Sequence, residues 1–383
     1  MRENQSMETE YRVSTDRIEK RANLTSDRKL AHIQICLEHD VQGRNITTGL
    51  EDISFVHHAT TDLNIDEIDL SIEIFNKTLS LPLIISGMTG GHDFAHKLNA
   101  FLSQAVEQTN IGMGVGSQRA ALENEEVKES FNIVRENAPN SLIIGNIGAG
   151  QIAQGLTNDQ FQELTDMINA NAMAVHFNPL QEAIQPEGDT QLKGLHEKIR
   201  KLIQAHSVPV IAKEVGAGFS LYDIAQVKKI GFQAIDVQGA GGTSWAGVEA
   251  IRTSLPRYKN TGEVYWDWGI PTALSTILAK RNFEGTIIGS GGVRNGLDIA
   301  KLIALGADAA GMAIPFLFAV QKHSTEAVVQ KIEEIAYQLR LACFLTRSRN
   351  VLDLKKASLM ITGKTAELMK MHGIDPSSYY SRE

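Results

Sequence analysis

Eight short apolar runs separated by longer amphipathic segments constrain the fold of this 383-residue chain more than any other feature. Each run is continuously apolar, which is typical of strands buried on both faces. Residues 159–169 and 222–230 have apolar positions at helical spacing, and Thr157 with Gln160, and Ser220, predict side-chain caps for these helices. The runs begin at Leu81, Ile111, Leu142, Ala172, Pro209, Ala234, Thr286 and Ala309. Eight strand–helix units predict a (β/α)8 TIM barrel, since a doubly wound sheet usually has fewer strands.

The rest of the chain is predicted to surround this barrel within one structural domain. The predicted segments are a flexible N-terminal extension (1–25), an N-terminal cap segment covering one barrel end (26–80), the barrel (81–322) and a C-terminal helix and tail (323–383). The longest gap follows the sixth strand and contains Trp245, Trp266 and Trp268. We interpret it as an inserted loop or short helices over the barrel mouth.

Composition excludes several classes of function. The formal net charge of −8 argues against a nucleic-acid partner, because binding to phosphate backbones needs a basic surface. The apolar runs are too short to span a bilayer, and the polar first 25 residues do not resemble a secretory signal. The two cysteines, Cys36 and Cys343, are too few for a disulfide framework or a zinc site. We therefore expect a cytoplasmic protein without a membrane partner.

Polar or glycine-rich groups follow almost every predicted strand. Active sites of barrels form at the carboxyl ends of the strands, so these groups are expected to meet at one mouth. They are residues 88–91, 116–119, 146, 176–178, 213–214, 239–244, 291–294 and 313. A barrel with a purely structural role does not need such a group at each strand, and the set therefore predicts a functional site.

A glycine-rich segment after the seventh strand has the features of a phosphate site. Gly289-Ser290-Gly291-Gly292 follows the seventh strand and leads directly into a helix predicted to start near Asn295. Glycines let backbone N–H groups approach a phosphate, and a helix N-terminus adds a favourable dipole. Barrels commonly bind phosphate in the loops after strands seven and eight. The alternative is a turn that merely uses glycine.

Three further groups of residues each fit either a role in the functional site or a role that involves no chemistry. Lys213 ends an apolar strand, where it is expected to form a Schiff base, to pair with an anionic cofactor, or to extend to the rim. The loop from His176 to Glu182 holds an imidazole, amides and a carboxylate suited to Mg²⁺, but it also fits a common polar loop. Arg28 and Lys29 suit a diphosphate, although adjacent cations are usually solvated.

Taken in order, these residues resemble the type 2 isopentenyl diphosphate isomerases, and the resemblance extends from Arg28 to the tail. The matching motifs are Arg28-Lys29 with His32, Met88-Thr89-Gly90-Gly91, Gly116-Ser117-Gln118, His176 with Asn178 and Gln181-Glu182, Lys213-Glu214-Val215-Gly216, Gly241-Gly242-Thr243 and Gly291-Gly292. Two positions depart from the family pattern. Ile314 stands where many members have a small residue, and Ala31 stands where many have a glutamate.

The resemblance implies an FMN cofactor across the barrel mouth, with Mg²⁺ and with NADPH as reductant. The implied cofactor-binding residues are Met88, Thr89, Gly90, Ser117, Asn146, Lys213, Thr243, Gly292, Val293, Arg294, Ala313 and Ile314. The implied substrate-binding residues are Arg28, Lys29, Asn178 and Gln181, with Gln181, Lys213 and His176 as catalytic residues and Glu182 as the metal ligand. The substrates would be isopentenyl and dimethylallyl diphosphate, and the assembly would be a homotetramer or homo-octamer.

The implied reaction is a 1,3-proton shift, which needs an acid and a base next to an unactivated alkene. The strand ends offer no convincing pair of carboxylates, and the family uses reduced flavin instead. The closest rival is an FMN-dependent 2-hydroxy-acid oxidase, which needs a late histidine where this chain has Asp267 and Trp268. An enzyme that resembles inosine-monophosphate dehydrogenase needs a nucleophilic cysteine in a late loop of the barrel, and this chain has none there. A non-catalytic protein that binds flavin or a prenyl diphosphate is a further alternative.

Overall fold

Eight parallel strands close into a barrel in the computed structural model, which describes residues 28–88 and 90–380. The barrel strands are β4 (Leu83–Ile85), β5 (Gly112–Gly114), β6 (Leu142–Gly148), β7 (Ala172–His176), β8 (Val210–Lys213), β9 (Ala234–Asp236), β10 (Thr286–Ser290) and β11 (Ala309–Met312). Pairing of β11 with β4 closes the ring, with Gly311 opposite Ile84. The (β/α)8 prediction is confirmed.

Helices surround the barrel and form most of the connections. Residues 28–38 are helical and are called α1. The others are α2 (Asp93–Thr109), α3 (Arg119–Glu123), α4 (Glu129–Asn137), α5 (Ala149–Ala153), α6 (Asn158–Met167), α7 (Pro179–Ile184), α8 (Leu195–Ala205), α9 (Leu221–Ile230), α10 (Trp245–Arg252), α11 (Pro256–Val264), α12 (Thr272–Asn282), α13 (Gly296–Leu305), α14 (Ile314–Val320), α15 (Thr325–Leu345), α16 (Val351–Leu354) and α17 (Gly363–Met371). No helix in the described ranges is both long and apolar enough to cross a membrane.

Side-chain caps fix where several helices begin. Thr157 and Gln160 form the capping box of α6, and Ser220 caps α9 in the same way with Asp223. Each box satisfies N–H groups that have no partner inside the helix, so it sets the helix start. Asn295 caps α13 directly after the glycine-rich loop. These caps are therefore the local signals that place the loops of the mouth.

A small hairpin packs against the amino-terminal end of the barrel. It consists of β2 (Ile72–Ile74) and β3 (Lys77–Leu79), which pair antiparallel. Ile74 and Leu79 belong to one apolar cluster with residues on the barrel strands, and several of these are first residues of their strands, such as Leu142 and Ala309. Because strands begin at the end opposite the mouth, the hairpin covers that end.

The segment before the barrel also reaches the mouth. Side chains of α1 line the cavity there, including Arg28, Lys29 and His32. We expect residues 26–80 to cover one end of the barrel. Within the described part of this segment, the hairpin lies at the amino-terminal end of the barrel and α1 lies at the mouth. The predicted extension 1–25 lies outside the described residues. A second small sheet joins β1 (Ile53–Phe55) antiparallel to β12 (Leu359–Ile361), which connects this segment to the C-terminal tail.

Mutation of the hairpin formed by β2 and β3 tests its packing against the amino-terminal end of the barrel. Leu79→Ala removes a side chain that is completely buried, so we expect it to lower the free energy of unfolding by roughly 2–5 kcal/mol. Thr78→Ala, at the exposed neighbouring position, is the control and should change it by less than about 0.5 kcal/mol. Urea denaturation followed by circular dichroism measures both. Equal effects of the two variants would show that the hairpin does not contribute to the core.

Candidate active site

A large cavity lies at the carboxyl ends of the barrel strands and encloses about 1520 Å³ of empty space, including its opening to solvent. The structure brings most of the predicted residues to its wall. The predicted residues that line it are Arg28, Lys29, Met88, Ser117, Asn146, His176, Asn178, Gln181, Glu182, Lys213, Thr243, Gly292, Val293, Arg294, Ala313 and Ile314. Gly90 is buried, and its carbonyl accepts a hydrogen bond from Lys29 in the wall. Thr89 lies outside the described residues.

His176, at the end of β7, has a defined tautomer. The side-chain amide of Asn146 donates to Val115 O at 3.1 Å, so its oxygen faces His176 Nδ1 at 2.8 Å as an acceptor. Nδ1 therefore carries the proton and Nε2 is an acceptor. Burial, together with the nearby charge of Lys213, lowers the pKa of His176 to about 4. The imidazole is neutral at physiological pH and can accept a hydrogen bond.

Lys213, at the end of β8, is buried and ion-paired. Its Nζ lies 2.6 Å from Asp236 Oδ2, and both residues are 7% exposed. The interpretation in which Lys213 merely extends to the rim is wrong, because the ammonium stays inside the mouth. A Schiff base would require this amine to lose its proton beside a carboxylate. The geometry therefore favours a fixed positive charge.

A buried carboxylate that was not predicted, Glu249 on α10, organises one side of the cavity. Its Oε1 accepts from Gln181 at 3.0 Å and from Gln185 at 2.5 Å, and lies 2.8 Å from His32 Nε2. Burial alone would raise the pKa of Glu249, but His32 and Arg252 lower it to about 2. This charged group fixes the side-chain amide of Gln181 at the cavity wall.

Glu182, the predicted metal ligand, has both carboxylate oxygens bonded within the protein. Oε1 accepts from Asn178 at 2.9 Å, and Oε2 accepts from the backbone N–H of Asp189 at 2.7 Å. Arg119 binds Asp189 at 3.1 Å. Within residues 28–88 and 90–380, no group of three or more His, Cys, Asp or Glu is arranged to hold a metal. A cation here would need ligands from the substrate as well.

Arg28 and Lys29 belong to the cavity wall, so the alternative of a fully solvated cation pair is wrong. Lys29 Nζ donates to Gly90 O at 2.6 Å and to Ser117 O at 2.9 Å, which attaches α1 to two loops of the mouth. Burial, helped by the charge of Arg28, lowers the pKa of Lys29 to about 7. Arg28 donates to Gln185 at 3.3 Å.

Backbone of two glycine loops meets at the opposite side of the cavity. A Cβ at Gly242 would lie 2.4 Å from Gly292 N, and one at Gly292 would lie 3.0 Å from Gly242 N. Gly292 also has a positive φ of 71°, which disfavours other residues. The loops can therefore approach only as glycines. Arg294 borders this cradle and is fixed by Gln42 at 3.0 Å.

Sequence reasoning missed residues that act through partners distant in the chain. Besides Glu249 and Asp236, the missed cavity and network residues include Ser86, Gln151, Gln185 and Gln238. Gly289 and Ser290, predicted to follow the seventh barrel strand in the phosphate segment, are instead the last two residues of that strand, β10. Asp236 is the one charged residue in the apolar run from Ala234 to Val237. A charge at that position was the one feature of the sequence that could have indicated its role. Glu249 lies in an amphipathic helix, where a carboxylate usually indicates a solvated face.

Comparisons with known proteins show the family and the fold of this chain. A family model for FMN-dependent dehydrogenases matches residues 152–361. Isopentenyl-diphosphate delta-isomerase of Methanosarcina barkeri is 44% identical over 359 residues, with 93% of this chain and 97% of that protein covered. The enzyme of the same name from Methanocaldococcus jannaschii is 46% identical over 349 residues, with coverages of 89% and 95%. A solved mandelate oxidase with an FMN adduct has a TM-score of 0.60 at 15% identity, covering 82% of this chain and 90% of its own, and shows likeness of fold alone.

The lowered pKa of His176 predicts a pH-dependent stability. Its folded-state pKa of about 4 lies below the ordinary value of 6.5, so the unfolded chain binds more protons between these values. Stability should therefore fall as pH drops through this window, by at most about 3 kcal/mol from this one group. His176→Gln should remove that part of the fall in urea titrations at several pH values. His196→Gln, at an exposed position, is the control, and identical pH profiles for all three proteins would contradict a neutral buried His176.

Proposed function

This chain belongs to the isopentenyl-diphosphate delta-isomerase family, and from that premise we propose that it interconverts isopentenyl and dimethylallyl diphosphate with FMN and Mg²⁺. One observation carries the proposal. A single cavity joins cations of α1, suited to a diphosphate, to a glycine cradle and a buried ammonium, suited to a flavin nucleotide. Both kinds of ligand are anionic, and their charges would be matched at opposite sides of the cavity.

The residues present fit FMN. Its phosphate would lie at the cradle of Gly242 and Gly292, where no Cβ obstructs the backbone, with Arg294 as the neighbouring cation. Lys213 would face the electron-rich side of the ring. The remaining proposed contacts are Met88, Thr89, Gly90, Ser117, Asn146, Thr243, Val293, Ala313 and Ile314. When bound and reduced, FMN would supply the acid and the base for the 1,3-proton shift.

The substrate would be held by groups that the structure has already oriented. Arg28 and Lys29 would bind the diphosphate, and the ammonium of Lys29 has a third donor beyond its two carbonyl partners. Asn178 and His176 Nε2 would contact the substrate from the β7 side. Gln181, fixed by Glu249, would orient the allylic carbons.

Glu182 would complete the diphosphate site through Mg²⁺, since Mg²⁺ favours one or two carboxylates together with waters and phosphate oxygens. Both of its oxygens keep a lone pair beyond their present hydrogen bonds. We also expect NADPH as the reductant, a homotetramer or homo-octamer, and a cytoplasmic location.

The metal role can be tested by mutation. Glu182→Gln should raise the Mg²⁺ concentration needed for half-maximal activity by about tenfold or more, because a charge-assisted contact is worth roughly 1.5–3 kcal/mol. Bound FMN, measured by visible absorbance, should stay the same. Glu126→Gln, which removes the same negative charge at an exposed position, is the control. A Mg²⁺ titration of the Glu182 variant that matches the control would remove Glu182 from the metal site.

The decisive experiment separates isomerase from FMN-dependent oxidoreductase, the alternative that the dehydrogenase family model favours. Protein with bound FMN is incubated with isopentenyl diphosphate and NADPH in the absence of oxygen. We expect many molecules of dimethylallyl diphosphate for each NADPH oxidised, because substrate and product have the same oxidation level. One NADPH consumed per molecule of product would mean hydride transfer to the substrate, and the proposed function would then be wrong.

A further inference from the structure

The pair of Lys213 and Asp236 lies on adjacent strands at the bottom of the mouth. The two residues are register partners across β8 and β9, and His176 is the register partner of Lys213 on the other side, on β7. The Nζ–Oδ2 distance of 2.6 Å and the exposure of 7% for both residues exclude bulk water from the contact. A charge that is buried in this way is strongly destabilising unless an opposite charge lies beside it.

The carboxylate of Asp236 is itself held from a third strand. Ser290, the last residue of β10, donates its hydroxyl to Asp236 Oδ1. The Ser290 oxygen in turn accepts the backbone N–H of Gln238 at 2.9 Å. With one oxygen bound to Ser290 and the other to Lys213, the carboxylate has a fixed orientation. Ser290 directly precedes Gly291, so the same contact joins the ion pair to the glycine cradle.

The other charged groups around Lys213 do not replace Asp236. His176 is neutral, and Arg28 and Lys29 on α1 line the same cavity but cannot act as counter-ions. Glu214, the next residue in the chain, has one carboxylate oxygen bonded to four N–H groups of its own loop, those of residues 215–218. In the part of the chain that the structure describes, Asp236 is the carboxylate that forms an ion pair with Lys213.

We propose that Asp236 is a positioning residue that keeps Lys213 protonated and pointed into the mouth, so that the charge on Lys213 stays constant through flavin reduction. This inference rests on the proposed function only in placing the flavin beside Lys213. The physical reason is that a buried ammonium without a counter-ion readily loses its proton. Asp236 prevents this loss and leaves the electron-rich ring as the second partner of the ammonium.

The test is an anaerobic redox titration of bound FMN, followed by its visible spectrum, from about pH 8 to about pH 10, which lies above the pKa of about 7 of Lys29. In the wild-type holoenzyme the midpoint potential should change with pH along one straight line. In Asp236→Asn the line should bend and become steeper at alkaline pH, because reduction then draws an additional proton onto Lys213. Above the bend, each pH unit should make reduction about tenfold less favourable than the wild-type line predicts.

Two variants assign the bend. Lys213→Met with Asp236→Asn keeps the site uncharged and without a titrating amine, so its line should be straight again. Lys213→Met alone should shift the potential at every pH, which tests whether the flavin lies beside Lys213. An unshifted potential in this single variant would overturn the placement of the flavin, and the inference with it, whatever the isomerase assay shows.

Two further results would overturn the role proposed for Asp236. A bend in the wild-type line would overturn it, because the charge on Lys213 would then change within the working range despite Asp236. A straight line for Asp236→Asn with retained FMN would overturn it as well. The measurement reads the cofactor and not turnover, so a protein that binds FMN but forms no dimethylallyl diphosphate would contradict the proposed function alone.

Discussion

Closure of the parallel barrel is the constraint on which the rest of the molecule depends. Each barrel strand has a hydrogen-bonded neighbour on both sides, so there is no free edge, and the strands are almost completely buried. Because all eight strands are parallel, their carboxyl ends come to one side of the ring. Groups from distant parts of the chain, such as Asn146 and Lys213, are thereby brought to one cavity.

Burying polar groups in the mouth costs free energy because they lose their hydrogen bonds to water. The structure offsets this cost by giving nearly all of them partners within the protein. Glu249 is bonded by amides and a guanidinium, and the amide of Asn146 is fixed between Val115 and His176. Buried polar groups with complete partners are rigid, since any rotation would leave one of them unsatisfied. The mouth is therefore preorganised, with orientations set before a ligand arrives.

The barrel, its strand order and several helix starts could be predicted because their signals are local. Continuous apolar runs mark strands, and Thr157 with Gln160 marks a helix start within four residues. Many cavity residues could be predicted because glycines and charges at strand ends have few structural uses. The family could be predicted only because the motifs, taken in order, resemble those of its members. Glu249 could not be predicted, since its partners on α1 and α7 are distant in the chain and a carboxylate on a helix is usually solvated.

The small sheet between β1 and β12 has a consequence for the order in which the molecule can form. Thr362, next to β12, binds Asp52, next to β1, across 310 positions of sequence. The same junction holds Gly49 through Thr365, close to the loop with Thr48, which packs against Gly292. During synthesis the barrel can close first, because its last strand ends at Met312. The nascent chain can support this side of its mouth only after the ribosome has released residues beyond 360.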